Sequence, residues 1–205
     1  VRAPSTLKDN NKDDMSNILA IDTTTTALNV VLIKGDETFS VSKELGKSGH
    51  SANLMPCIDD LLSSNGVDIS DVDTVAAVVG PGSFTGIRIG VSAMTAIAFA
   101  NNAKRIAVTS FELIAYNRSR VLAAVDAGHG NLYLADCEDG KVVGARFVEA
   151  NDAKNVQNAV FEPCVNVCDA LAKVVKNKAK NGEYVNVIEP YYMRKSQAER
   201  EKDEI

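Results

Sequence analysis

Apolar positions along this chain keep two rhythms, and the change from one to the other places the elements. Uninterrupted or alternating runs mark strands at Ile18–Ile21, Ala27–Ile33 and Thr38–Lys43. Thr23–Thr26 and Gly35-Asp36 supply the turns between them, so this edge of the sheet is expected to be an antiparallel meander. The period then lengthens. Leu54, Ile58, Leu61 and Leu62 fall on one helical stripe, which Gly66 closes. Proline is comfortable only in a first turn, so Pro56 predicts a helix that begins near Asn53 or kinks there. Ser70 and Asp73 have capping-box spacing, and Val75–Val79 reads as a buried strand.

The stretch VVGPGSFTGIRIGVSAMTAIAFA predicts a strand ending at Val79, a Gly80-Pro81-Gly82 turn, and a helix from Phe84 or Thr85 to Ala100. Between Ile87 and Ala100 nearly every residue is apolar or small, and Arg88 is the only charge. A helix apolar all round must be covered on both sides. One cover is its own sheet; the other is a second helix or a second chain. Gly90, Ala93 and Ile97 form a smooth strip suited to close approach.

Beyond Arg105 a short strand Ile106–Thr109 leads to Ser110, which is expected to cap a helix Phe111–Asn117. VLAAVDAGHGNLYLADCEDGKVVGARFVEA then repeats the opening pattern of strand, turn, strand, turn, strand. In each copy an apolar strand ends in an aspartate, Asp22 or Asp126, followed by small residues and another strand. A helix Val167–Val175, a strand Tyr184–Ile188 and a polar tail from Lys195 complete the pattern.

Composition narrows what these elements serve. With 45% hydrophobic and 24% charged residues in 205, the chain is that of an ordinary folded domain. Its 22 basic and 27 acidic side chains leave a formal charge of −5, which disfavours strong direct binding to nucleic acid. No apolar run approaches the ~20 residues that span a bilayer. Residues 1–14 hold no secretory signal; they are expected to be disordered or foreign to the natural chain, with Met15 as its start. Cys57, Cys137, Cys164 and Cys168 include no CxxC pair. With only His50 and His129 to complete a ligand set, they are expected to be reduced thiols, with no metal bound.

Several groupings bear on chemistry. Asp22 with Thr23 and Thr24, and Asp126 with Gly128 and Gly130, each place a carboxylate beside a turn of hydroxyls or amides. Such turns cradle phosphate and hold Mg²⁺ through water, and two facing each other would form a nucleotide cleft. The same residues also simply terminate hairpins. Gly80-Pro81-Gly82-Ser83 is not a Walker loop, because no Lys-Ser/Thr follows; Ser83 is expected to cap the next helix. A hydrolase would draw on Ser83 or Ser51, His50 or His129, and Asp22 or Asp126, but the G-x-S-x-G elbow is absent.

GPGSFTGIRIG, together with ILAIDTTTTAL, HSANLMP, VLAAVDAGHGNLY and the terminal EPYYMRK, closely resembles the TsaB (YeaZ) family from about Ile18 to Arg194. The resemblance is most specific in Gly80–Gly90 and loosest between Asp139 and Glu189, where the chain is shorter than the family pattern. It implies an α/β actin-like ATPase (ASKHA, ribonuclease H-like) fold with mixed sheets in two lobes, 15–109 and a shortened 110–205. It further implies a non-catalytic paralogue of TsaD, the subunit that transfers threonylcarbamoyl to adenosine 37 of tRNA. The HxxxH metal pair of TsaD-like chains is not kept, because HSANL places Asn53 and Leu54 where the second histidine would stand. By this resemblance Asp22, Thr23, Thr24 and Asp126 are a vestigial nucleotide site. No cofactor is held tightly, and ATP or ADP enters only at an interface of the complex. Leu54, Ile58, Leu61, Gly90, Ala93, Met94 and Ile97 are the implied contacts to a TsaD-type paralogue, or to a second copy when the chain is alone. A TsaE-type ATPase, tRNA reached through the complex, and a cytoplasmic location complete the expectation.

Overall fold

A computed structural model describes residues 16–46 and 49–194. The expected natural start at Met15, the leader before it and the polar tail from Lys195 lie outside the described residues. The chain builds two mixed sheets. In the first, β1 (Asn17–Asp22), β2 (Ala27–Lys34), β3 (Glu37–Glu44), β4 (Thr74–Val78) and β5 (Lys104–Val108) lie in the order β3-β2-β1-β4-β5. The β1–β2 and β2–β3 pairs are antiparallel, while β1–β4 and β4–β5 are parallel. In the second, β6 (Arg120–Asp126), β7 (Leu132–Glu138), β8 (Lys141–Val148) and β9 (Ala159–Val160) lie in the order β8-β7-β6-β9. Strand by strand this repeats the first sheet without its last member, and such a pair of units is the actin-like architecture.

The central strands explain their own sequences. β1 and β2 are buried on both faces, so they read as continuous apolar runs rather than as an alternation. Leu19, Ile21, Leu28, Val30 and Leu32 pack beneath α1 (His50–Ser64) and α2 (Phe84–Asn101). Ile18, Ala20, Val31 and Ile33 pack on the opposite side against Leu171, Ala172 and Val175 of α5 (Val167–Lys180). The second sheet rests Val121, Ala123, Ala135 and Cys137 on Phe111 and Ile114 of α3 (Ser110–Ala115). Where the first unit has the 15-residue α1, the second has one turn, α4 (Ala150–Ala153). The second lobe is thus the shorter. A cut at residue 110 separates the sheets but not the packing, because α5 follows the second sheet in sequence and returns to the first.

Other boundaries also shift. α1 starts at His50 rather than near Asn53 and continues past Pro56 to Ser64; Pro56 and Ala52, the residue whose helical bond it deletes, are both exposed, so water can take the free carbonyl. The capping box near Ser70 is formed instead by Asp68 and Asp71, which close the 3-10 turn Ile69–Asp71. Thr109 rather than Ser110 caps α3: its hydroxyl takes the Glu112 amide at 3.2 Å, while the Glu112 carboxylate takes the Thr109 amide at 2.6 Å. Ser110 becomes the first helical residue, and its hydroxyl donates to the Pro81 carbonyl at 2.7 Å. α3 stops at Ala115, and Asn117 is left-handed at φ 57°. α5 continues past Val175 to Lys180. Tyr184–Ile188 is not a strand. Val185 makes one backbone bond to Arg105, and with Tyr184, Val185 and Val187 exposed no second face is buried that would hold a ladder.

Candidate functional site: a filled turn and an open helix face

The Asp22 turn sits at the carboxyl end of the central strand. Asp22 is buried, and its Oδ1 accepts from the Thr24 amide at 2.8 Å and the Thr24 hydroxyl at 2.7 Å. The Thr23 hydroxyl donates to the Gly86 carbonyl at 2.7 Å, and the Ser83 amide donates to the Thr24 carbonyl at 2.7 Å. Glycine at every fourth residue makes this contact possible. A Cβ at Gly82 would stand 2.6 Å from the Thr24 carbonyl oxygen, one at Gly86 would fall on the Thr23 carbonyl oxygen, and one at Gly90 would stand 2.5 Å from the Thr23 hydroxyl. The start of α2 therefore lies directly on the turn. Ser83 caps that helix, its Oγ accepting the Gly86 amide at 3.2 Å.

Both threonine hydroxyls and the Thr24 amide are thus already engaged within the protein. As folded, these three donors are turned inward and are not free to cradle a phosphate. Burial pushes the Asp22 carboxyl above the usual carboxylate range, against the lowering effect of the Thr24 bonds and of nearby His50. A polar row continues across the ladder, where Asp22 is in register with Asn29 and Asn29 with Ser42. Buried Asn29 accepts from the Ser42 hydroxyl at 2.7 Å and the Cys168 thiol at 3.6 Å, and its Nδ2 has no partner among the described residues. Periodicity gave no hint of Asn29, a single polar position within the apolar run of β2.

The second turn keeps the local bond and loses the cover. Asp126 Oδ1 accepts the Gly128 amide at 2.8 Å, yet Asp126 is exposed and no helix lies on Gly128, around which a Cβ would meet nothing within 4 Å. Gly128, His129 and Gly130 all have positive φ. The groups considered for hydrolysis have other work. Buried His50 places Nε2 3.3 Å from the Ala27 carbonyl, Ser83 is a helix cap, and Ser51 and His129 are exposed on separate elements. Among the described residues no three His, Cys, Asp or Glu side chains group as metal ligands. Burial raises the thiols of Cys168 and of Cys137, the latter to about 11.

The helix pair corrects the expected contact set. Leu54, Ile58, Gly90, Met94 and Ile97 are buried in the chain's own core and meet the home sheet; of the seven, only Leu61 and Ala93 are part-exposed. The residues that face solvent include Ala52, Met55 and Pro56 on α1 and Arg88, Ala96 and Phe99 on α2, among polar ones such as Asp59, Asp60, Ser92 and Thr95. Phe99 is 84% exposed and Met55 46%. An almost bare phenylalanine on a regular helix, with small residues on the same stripe, is the kind of surface that marks an interaction site.

The family model of the tRNA N6-adenosine threonylcarbamoyltransferase TsaD matches residues 41–161, more than half the chain. The chain belongs to this family, on its TsaB (YeaZ) side. It is 36% identical over 125 residues to the tRNA threonylcarbamoyladenosine biosynthesis protein TsaB of Escherichia coli K12, covering 58% of this chain and 54% of that protein. The Haemophilus influenzae TsaB is 33% identical over 133 residues, covering 61% and 55%. The chain thus spans about half the length of the curated relatives it matches. The solved structure of YeaZ from Pseudomonas aeruginosa superposes with a TM-score of 0.73 at 25% identity, covering 87% of this chain and all of that one. No described helix is long and apolar enough to cross a membrane.

Proposed function

We propose that this chain is a docking subunit in the formation of threonylcarbamoyladenosine in tRNA, and that it binds and activates a TsaD-type paralogue rather than transferring the group itself. The observation that carries the reading is the open face of α1 and α2, centred on Phe99, Ala96 and Met55. Large apolar side chains left exposed on helices whose other side is seated on the sheet mark a surface for a partner, and a partner helix pair is a natural cover. The filled Asp22 turn supports the same reading, because a subunit that only docks has no need of an open phosphate cradle. In this account ATP or ADP belongs at an interface of the complex, a TsaE-type ATPase docks on the assembled pair, and tRNA is reached through the partner. The formal charge of −5 agrees with that last point. The setting is cytoplasmic.

The test is light scattering of the chain mixed with its TsaD-type paralogue, alongside the Ala96→Glu variant. A mixed heterodimer is expected for the natural sequence. The glutamate, set in the centre of the face, is expected to abolish it while the melting temperature of the isolated chain stays within a few degrees. Unchanged assembly of Ala96→Glu would sink the reading.

A further inference from the structure

The chain passes between the two sheets twice, from β5 into α3 and from β9 into α5. The first passage is firmly rooted. The Ser110 amide donates to the Gly80 carbonyl at 2.9 Å, the Ser110 hydroxyl to the Pro81 carbonyl at 2.7 Å, and Lys178 of α5 pairs with Glu112 of α3 at 2.6 Å. Neither passage enters the second sheet at β7 or β8. In the order β8-β7-β6-β9, these are the strands on the side away from β9.

A third connection reaches them. Beyond α5 the Val185 amide donates to the Arg105 carbonyl at 2.8 Å, Ile188 is buried in the first core, and the Tyr191 amide donates to the Val79 carbonyl at 2.8 Å. Tyr192 then stacks on Phe84, in the first turn of α2, at 4.8 Å, and its hydroxyl accepts from Arg88 Nε at 3.0 Å. The next two residues stand on the second lobe. Met193 packs on the core beneath the second sheet, and the Arg194 guanidinium lies 4.3 Å above the Phe147 ring of β8, which meets Tyr133 of β7 at 5.8 Å. Tyr133 is in register with Val125, next to the pair of Asp126 and Leu132, so this end of the segment sits beside the Asp126 turn. Among the described residues, Ile188 is the one buried side chain of 188–194 and Tyr191 makes its one backbone hydrogen bond. A segment held by so few bonds opens far more easily than the sheets it joins.

We propose that residues 188–194 are a releasable clasp between the lobes. Rooted in the first lobe at Ile188 and Tyr191, the clasp holds the β7–β8 side of the second sheet through Met193 and Arg194, and so sets how far the Asp126 turn stands from the Asp22 turn. With the clasp shut the two lobes are one body; with it open the second sheet swings on the rooted start of α3. This goes beyond the docking reading and does not depend on it. The test uses the full chain with Cys164→Ser, spin-labelled through Thr25→Cys and His129→Cys, two exposed positions in the two turns. Electron–electron dipolar spectroscopy is expected to give one narrow distance. Arg194→Ala and Met193→Ala are each expected to broaden it and move it to longer values, while Arg194→Lys, which keeps a cation for the Phe147 ring, stays close to the natural pattern. In the unlabelled chain the same two alanine variants are expected to speed hydrogen exchange in β7 and β8 about tenfold and to leave β1 and β4 unchanged. An unaltered narrow distance in both alanine variants would mean that α3 alone fixes the lobes and the segment is only surface cover. Exchange quickened equally in both sheets would overturn the clasp as well, since the variants would then have weakened the whole chain rather than freed one lobe.

Discussion

After β1, Asp22 accepts the amide two residues on at 2.8 Å; after β6, Asp126 does the same at the same distance. One is buried, in a turn whose Thr23 and Thr24 are pressed by Gly82, Gly86 and Gly90 at the start of α2, and the other is open to water. The local turn chemistry is therefore common to both units, and the difference is made by α2, whose counterpart in chain order, α5, packs on the first sheet rather than on the second turn. An aspartate at the end of a strand does not by itself say whether it binds a ligand or holds a fold. The atoms packed on top of it decide.

The sharpest way to break this comparison is to add one carbon to each turn. At Gly86 a methyl group would overlap the backbone carbonyl of Thr23, which cannot rotate away. Gly86→Ala is expected to cost about 3 kcal/mol or more in urea unfolding, since α2 must lift from the turn. At Gly128 the methyl group meets nothing, and only the left-handed backbone at φ 78° is penalised, so Gly128→Ala is expected to cost about 1 kcal/mol. Equal costs would mean that α2 is not clamped on the Asp22 turn.

Much of this was legible beforehand, and the failures have physical causes. The repeated units were readable because β1 and β6 are each a mainly apolar run closed by an aspartate. The signature GPGSFTGIRIG now has a mechanical meaning: Gly82 just ahead of α2, and Gly86 and Gly90 on it, are the positions that must clear Thr23 and Thr24. The outward face was misplaced because α2 is apolar all round, so periodicity carries no phase, and Gly90 and Met94 looked as suited to a partner as Ala96 and Phe99. A rule was available, since the glycines every fourth residue point at the crowded side. The return of α5 to the first sheet was not readable, because an amphipathic stripe says that a helix needs a sheet but not which one. Tyr184–Ile188 failed because apolar residues in a row need a second buried face before they form a strand.

A smaller effect is expected from the hydroxyl that ties the turn to the helix. Thr23→Val keeps the shape and removes the donor to the Gly86 carbonyl. It is expected to cost about 1 kcal/mol by thermal unfolding, the net worth of one buried hydrogen bond. Ala127 occupies the matching place in the second unit, where no helix waits, and Ala127→Thr is expected to change stability by less than about 0.5 kcal/mol. A large gain there would show that the second turn can capture a bond it now lacks.

The smallest effect at acid pH, and the one that grows with pH, belongs to Asp22 itself. Burial raises its carboxyl above the unfolded value near 3.8, so on raising the pH the unfolded chain releases this proton before the native one does. The native state then holds more protons than the unfolded state, and stability declines as pH climbs. The contribution is full below the unfolded value and is lost as pH passes through the raised one. Oδ1 already takes both Thr24 donors, so the proton belongs on Oδ2, and an asparagine there offers the same acceptor with an amide donor in place of the acid. Asp22→Asn is therefore expected to match the natural chain near pH 4 and to become the more stable of the two as pH rises. Urea midpoints from pH 4 to pH 8 check this, with Asp126→Asn measured alongside to set the background of an exposed carboxylate. If Asp22→Asn instead lost stability steadily above pH 4, the ionised carboxylate would be what the Thr24 donors hold in place, and the turn beneath α2 would be a charged site rather than a filled one.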